Sequence, residues 1–206
     1  MKAVALAITL AVLTVLAQSN DSVPLNYGIV VFPAFQALDV FGPLDALNML
    51  SFAYPLNLSI IAATLDPITT KPQTNLVNSN FSESIAALAH GPQTLTPPLI
   101  ISLLLCTGAT LAARAGVLDG KNATTNKKSW EWATSQGPNV NWISHARWVV
   151  DGNIYTTSGV SAGIDGTFAF MEAVYGANAT ETVANSMEYV RETNSSWDPF
   201  AELYGL

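Results

Sequence analysis

Cys106 is the residue on which chemistry would turn. It follows LIISLLL at 99–105, the most apolar run in the chain apart from the N-terminal one, and it precedes Thr107, Gly108 and a helix-favouring stretch at 109–115. Seven β-branched-to-apolar residues are too short for a helix and suit a buried strand. A strand feeding a sharp turn and then a helix is the outline of a nucleophile elbow. The turn residue is pushed off the carboxyl end of the sheet, where open α/β sheets bind ligands. There the amides of Thr107 and Gly108 would point free from the helix start. With the helix dipole they would favour a thiolate and draw the thiol pKa below the free value of about 8.5. The alternative is a buried small hydrophobe, which many free cysteines are.

Other candidate groups carry less. GVSAG at 159–163 matches the serine-hydrolase pattern, but both histidines, His90 and His145, precede Ser161, whereas that fold needs its histidine afterwards. One cysteine and two histidines do not furnish a closed zinc site, and no intrachain disulfide can form. No cofactor is expected. Asp39 by itself reads as a helix-start residue satisfying backbone amides. The tryptophans at 130, 132, 142 and 148 read as core and interface.

The elements that must position Cys106 read as α/β. The run NYGIVVF at 26–32 suits a buried strand, and 35–49 carries apolar residues at helical spacing with Pro43 inside. Residues 56–62 read as a second strand, 63–84 as loop with room for one short strand, 85–88 as a helical turn, and 90–98 as breaker-rich loop. Strand-like stretches follow at 142–145 and 147–150, with Asp151-Gly152 marking a hairpin into 153–157. Helices are expected at 164–175 and 181–191. Alternating strands and helices predict an α/β sandwich with a largely parallel sheet.

The chain has 206 residues, half of them hydrophobic and only 11% charged, with a net charge of −7. That is one folded domain, and it lacks the basic stripe that nucleic acid requires. Residues 3–17 form an apolar run after Lys2, with Val15 and Ala17 at the positions a signal peptidase reads, followed by polar QSND. The run is shorter than the ~20 residues of a spanning helix. It predicts a signal peptide at 1–17, a secreted domain at 18–206 and no membrane association after cleavage. Six Asn-x-Ser/Thr sites occur. Asn178 and Asn194 lie in loop-like sequence and are the expected glycosylation sites; Asn57 precedes a strand and Asn122 lies near the elbow.

The block LCTGATLAARAGVLDGKNATTNK at 105–127 resembles the elbow of the ThiJ/PfpI family, most closely its isonitrile hydratase-like fungal branch. VFPAFQALDVFGP at 31–43 resembles the family's first strand and helix, RWVVDGNIYTTSGVSAGID at 147–165 its late hairpin and next helix, and WDPFA at 197–201 its tail. The resemblance implies a flavodoxin-like three-layer sandwich with a mostly parallel sheet and a nucleophile elbow. It places the nucleophile at Cys106, a thiol-bonding carboxylate at Asp39 and an oxyanion donor at the Thr107 amide. It implies a small-molecule substrate such as an isonitrile, hydro-lyase chemistry and a homodimer. The family pattern also has a strand ending in Gly-Gly before the elbow. No such sequence stands here, so the domain looks shortened between 88 and 99. A non-catalytic secreted relative, or a truncated gene product with an incomplete pocket, are the alternatives. If the family arrangement holds, Asp39 donates a hydrogen bond to the thiolate, and Asp39→Ala should raise the Cys106 pKa.

Overall fold

The computed structural model describes residues 23–62, 64–68, 70, 89–90 and 102–206. The leader at 1–17 lies outside them, as do the turn at 85–88 and nearly all of the shortened stretch at 88–99. Strand β1 (Asn26–Val30) leads through a short turn to helix α1 (Ala37–Leu50) and then β2 (Asn57–Ile61). β3 (Ala89–His90) pairs parallel with β2, giving the order β1-β2-β3. β4 (Ser102–Leu104) runs into a tight helical turn at Cys106–Gly108 and helix α2 (Ala109–Arg114). After β5 (Asn122–Ala123), α3 (Trp130–Ser135) and β6 (Asn141–Trp142) come the hairpin strands β7 (Trp148–Asp151) and β8 (Ile154–Thr157). α4 (Val160–Tyr175), α5 (Ala177–Ser186) and α6 (Pro199–Leu203) complete the chain.

Among the described residues, four of the five strand pairings are parallel, and β7–β8 is antiparallel. The Asp151-Gly152 hairpin forms where the sequence marks it, with Gly152 at φ +62°. Helices cover the sheets from both sides, so the fold is the expected α/β, flavodoxin-like one. β1 to β3 and β4-β8-β7 are separate hydrogen-bonded sheets among the described residues. No helix among those residues is long and apolar enough to cross a membrane.

The larger core joins β1, α1, β2 and α4 through Ile29, Leu47, Leu50, Phe168 and Phe170. A smaller one packs α2 beneath β4 through Leu104, Ala109, Ala112 and Leu118. Burial of such side chains contributes about 1.5–3 kcal/mol each. Two glycines permit the close approaches that set the site. A Cβ on Gly42 would lie 2.7 Å from Ile164, so α1 seats directly on α4. A Cβ on Gly166 would collide with the Thr157 methyl, so α4 lies flush on β8.

Two helix expectations differ. α4 starts at Val160, four residues early, so Ser161 lies in its first turn. The helix expected at 181–191 runs instead over Ala177–Ser186. Gly176 at φ +84° ends α4 and begins α5 without a connecting loop. Asn178 is therefore in the first turn of a helix and not in a loop, although it is exposed. Asn194 is in irregular, exposed chain as expected, its side chain accepting from the Ser196 amide. Asn57 begins β2, and Asn122 begins β5, where Asp151 accepts its amide.

Candidate active site

Cys106 has φ +53°, the left-handed region that a residue with a Cβ rarely adopts. Such strain costs on the order of 1–3 kcal/mol and persists only where neighbours over-determine it. They do so here. Thr157 Oγ1 accepts from the Cys106 amide at 3.4 Å, and Thr125 Oγ1 donates to the Cys106 carbonyl at 3.0 Å. Both threonines are buried. The strained turn aims Sγ into a cleft of about 290 Å³ between the end of β1, the start of α1 and the elbow.

Asp39 stands on the first turn of α1 and lines the same cleft as the thiol, close enough for each group to shift the other's pKa. It is not the helix cap that its position alone suggests. Its amide donates to the Gln36 carbonyl, and its own Oδ1 is buried without a partner. The carboxylate is thus left for the sulfur. The Thr107 amide, next in the chain, favours the thiolate form of the sulfur. Cys106, Asp39 and Thr107 all line this cleft. The Gly108 amide is not free: that group donates to the Leu105 carbonyl at 2.8 Å.

Asn126 belongs to the site and was not anticipated. Its Nδ2 donates to Sγ at 3.2 Å, while its Oδ1 accepts from the Ser129 amide at 3.1 Å. The second bond fixes which end of the side-chain amide faces the thiol, because only the NH₂ end can donate. Asn126 stands inside the elbow block, twenty residues after the cysteine, and spacing gives no sign that it folds back. His145 bonds the Leu206 carbonyl, and Ser161 meets Arg147; neither touches Cys106.

The thiol is not acidified. Burial, and then the Asp39 charge, push it up to about 11, against weaker opposition from the Thr107 amide and Asn126. The expectation of a depressed value fails because one amide and a six-residue helix cannot offset an apolar cleft and an adjacent carboxylate. Burial pushes Asp39 up to about 6, with the thiol hydrogen bond opposing. The resting pair at neutral pH is a neutral thiol beside an ionised carboxylate. Removing Asp39 should therefore lower the Cys106 pKa, the reverse of the sequence-based expectation.

A stability consequence follows for Asp39. Its folded pKa lies above the ordinary carboxylate value, so the folded state loses stability as pH rises from about 4 to about 6. Asp39→Asn should be more stable than the parent at pH 7 by about 1–2 kcal/mol, after allowance for partial exposure. The difference should vanish near pH 3. Urea unfolding at the two pH values checks it; equal stability at pH 7 would show that the carboxylate carries no burial penalty.

No family model matches the chain. Its sequence is 28% identical over 187 residues to the isonitrile hydratase of Pseudomonas putida, covering 80% of this chain and 78% of that protein. A ThiJ/PfpI family protein from Pseudomonas syringae superposes with TM-score 0.58 at 18% identity, covering 91% of this chain and 90% of that one. DJ-1beta of Drosophila melanogaster gives 0.57 at 12% identity, covering 81% and 98%. An AraC family transcriptional regulator from P. putida gives 0.61 at 15%, covering 80% and 100%. The chain is thus similar in sequence to an isonitrile hydratase and shares its fold with ThiJ/PfpI and DJ-1 proteins, in agreement with the elbow at Cys106.

Proposed function

We propose that this chain is a secreted, cysteine-dependent hydratase of small carbon electrophiles, with isonitriles the substrate class. The observation that carries the reading is the strained Cys106 at the floor of a cleft with the Asp39 carboxylate on its thiol; similarity to an isonitrile hydratase supports the choice of substrate.

Asp39 takes the thiol proton as sulfur attacks the terminal isonitrile carbon. The same carboxyl then delivers the proton to that carbon, giving a thioimidate. Water adds to the thioimidate carbon, nitrogen gains a proton, and the C–S bond breaks. The products are an N-substituted formamide and the free thiol. A carboxyl near pKa 6 suits both directions of proton transfer at neutral pH. The Thr107 amide and Asn126 Nδ2 face the sulfur, where they stabilise the thiolate as it forms. A largely apolar cleft wall, including Phe32, Phe35 and Val160, accommodates a small apolar substituent.

The test is incubation of the full secreted chain with a small alkyl isonitrile and detection of the formamide by mass spectrometry. Formation no faster than in buffer would sink the reading. Intact mass of the same material should show an N-terminus at Gln18, with a glycan at Asn194. A non-catalytic relative is the second reading. It is favoured by one observation: among the described residues only Thr107 offers a backbone amide to the sulfur.

A further inference from the structure

We propose that the buried ion pair between Lys127 and Asp198 is a positioning device, through which the C-terminal segment fixes the Asn126 side-chain amide against the Cys106 sulfur. The two charged side chains are 3.6 Å apart and each is only 1% exposed. Residues 124–129 form neither helix nor strand, so side-chain anchors must hold them. Four consecutive residues supply those anchors. The Thr124 amide donates to Thr156 Oγ1 on β8, and Thr125 holds the elbow carbonyl. Asn126 reaches the sulfur, and Lys127 reaches the tail.

Lys127 Nζ also donates to Thr124 Oγ1 at 2.6 Å and to the Ala146 carbonyl at 3.0 Å, and it lies 4.8 Å from the Trp130 ring centre. Asp198 cannot rotate freely, because its Oδ1 accepts from the Phe200 amide and caps α6. Among the described residues Asp198 Oδ2 has no hydrogen bond, and it lies 3.6 Å from the ammonium. Burial lowers the Lys127 pKa to about 8, so the charge is held at a cost to the fold. Apolar residues could fill the same space more favourably. What an ion pair adds is register: it fixes Lys127, and therefore the neighbouring Asn126, at one place relative to the elbow. Lys127 and Asp198 touch neither sulfur nor cleft, so both act through Asn126.

Cys106 is the only cysteine. A ¹³Cβ-cysteine label in the full chain therefore gives one resonance whose pH titration reads the thiol directly, whether or not the protein turns over any substrate. The hydratase reading can thus fail without touching this one. Asn126→Ala should raise the titration midpoint by about 0.5–1 pH unit, through loss of one hydrogen bond to the thiolate. Asp198→Asn keeps the helix cap and removes the charge; it should move the midpoint in the same direction. Combined with Asn126→Ala it should move it no further than Asn126→Ala alone. A folded Asp198→Asn protein with the parent midpoint, or shifts that add in the double variant, would overturn the proposal. If Asp198→Asn does not fold, the uncharged pair Lys127→Met/Asp198→Asn takes its place under the same two criteria.

Discussion

Under the proposed hydratase reading, replacing Cys106 by serine should abolish turnover of an isonitrile and leave the domain folded. The expected loss in kcat is at least about 10³-fold, because a hydroxyl is far harder to ionise than a thiol and the available base is only a carboxyl near pKa 6. The fold survives because serine differs from cysteine by one atom and inherits the same backbone. The bonds from the Cys106 amide to Thr157 and from Thr125 to its carbonyl do not involve the sulfur. Stability should stay within about 1 kcal/mol of the parent, since Ser Oγ can still meet Asp39, Thr107 and Asn126. Formamide production measured beside urea unfolding separates the two effects. A serine variant retaining a tenth of parental kcat would remove Cys106 from the chemistry and leave the cleft acting on water alone.

The elbow was legible because its signal is local. An apolar strand, a cysteine and a helix-favouring run lie within seventeen residues, and the chain must turn sharply between them. The parallel sheet followed from the same kind of evidence. Asp39 was legible only through family resemblance, since its residue type and position suggest a cap that it does not form. Asn126 was hidden because it returns to Cys106 by a loop with no periodic pattern, held by Thr124, Thr125 and Lys127. Lys127 itself reads as surface, one of two adjacent lysines in a polar stretch, until Asp198 arrives from the far end of the chain. The direction of the thiol pKa was also out of reach. A helix start argues for a lower value, but desolvation and a neighbouring charge depend on what packs over the site, and here they outweigh the amides. The boundary of α5 shifted for a simpler reason. Gly176 lets one helix follow another directly, and Glu188 at φ +50° ends the helical path before the expected 191.

Arg147→Met should destabilise the chain by about 3 kcal/mol, the second large effect expected. Arg147 Nε and Nη2 both reach Asp165 Oδ2, at 2.8 and 2.7 Å, and both residues are buried. Methionine fills much of the same volume but leaves the carboxylate in the interior without its counter-charge. Two donors remain, Tyr189 Oη at 2.9 Å and the Glu192 amide at 3.0 Å, both on Asp165 Oδ1, and they keep the loss at the low end for a broken buried pair. For a domain of this length the change lowers Tm by about 6–12 °C. The weakened region should be the tail, because Asp165 gathers Tyr189 and Glu192, and the Arg147 amide donates to the Ser195 carbonyl at 2.7 Å. Limited proteolysis should therefore cut between 188 and 198 before it cuts the hairpin. Adding Asp165→Asn to Arg147→Met removes the stranded charge while keeping an acceptor for Tyr189 and Glu192, so the double variant should recover part of the loss. A single variant within 1 kcal/mol of the parent, or a double variant less stable than the single, would mean that the pair contributes shape and not charge to the anchoring of the tail.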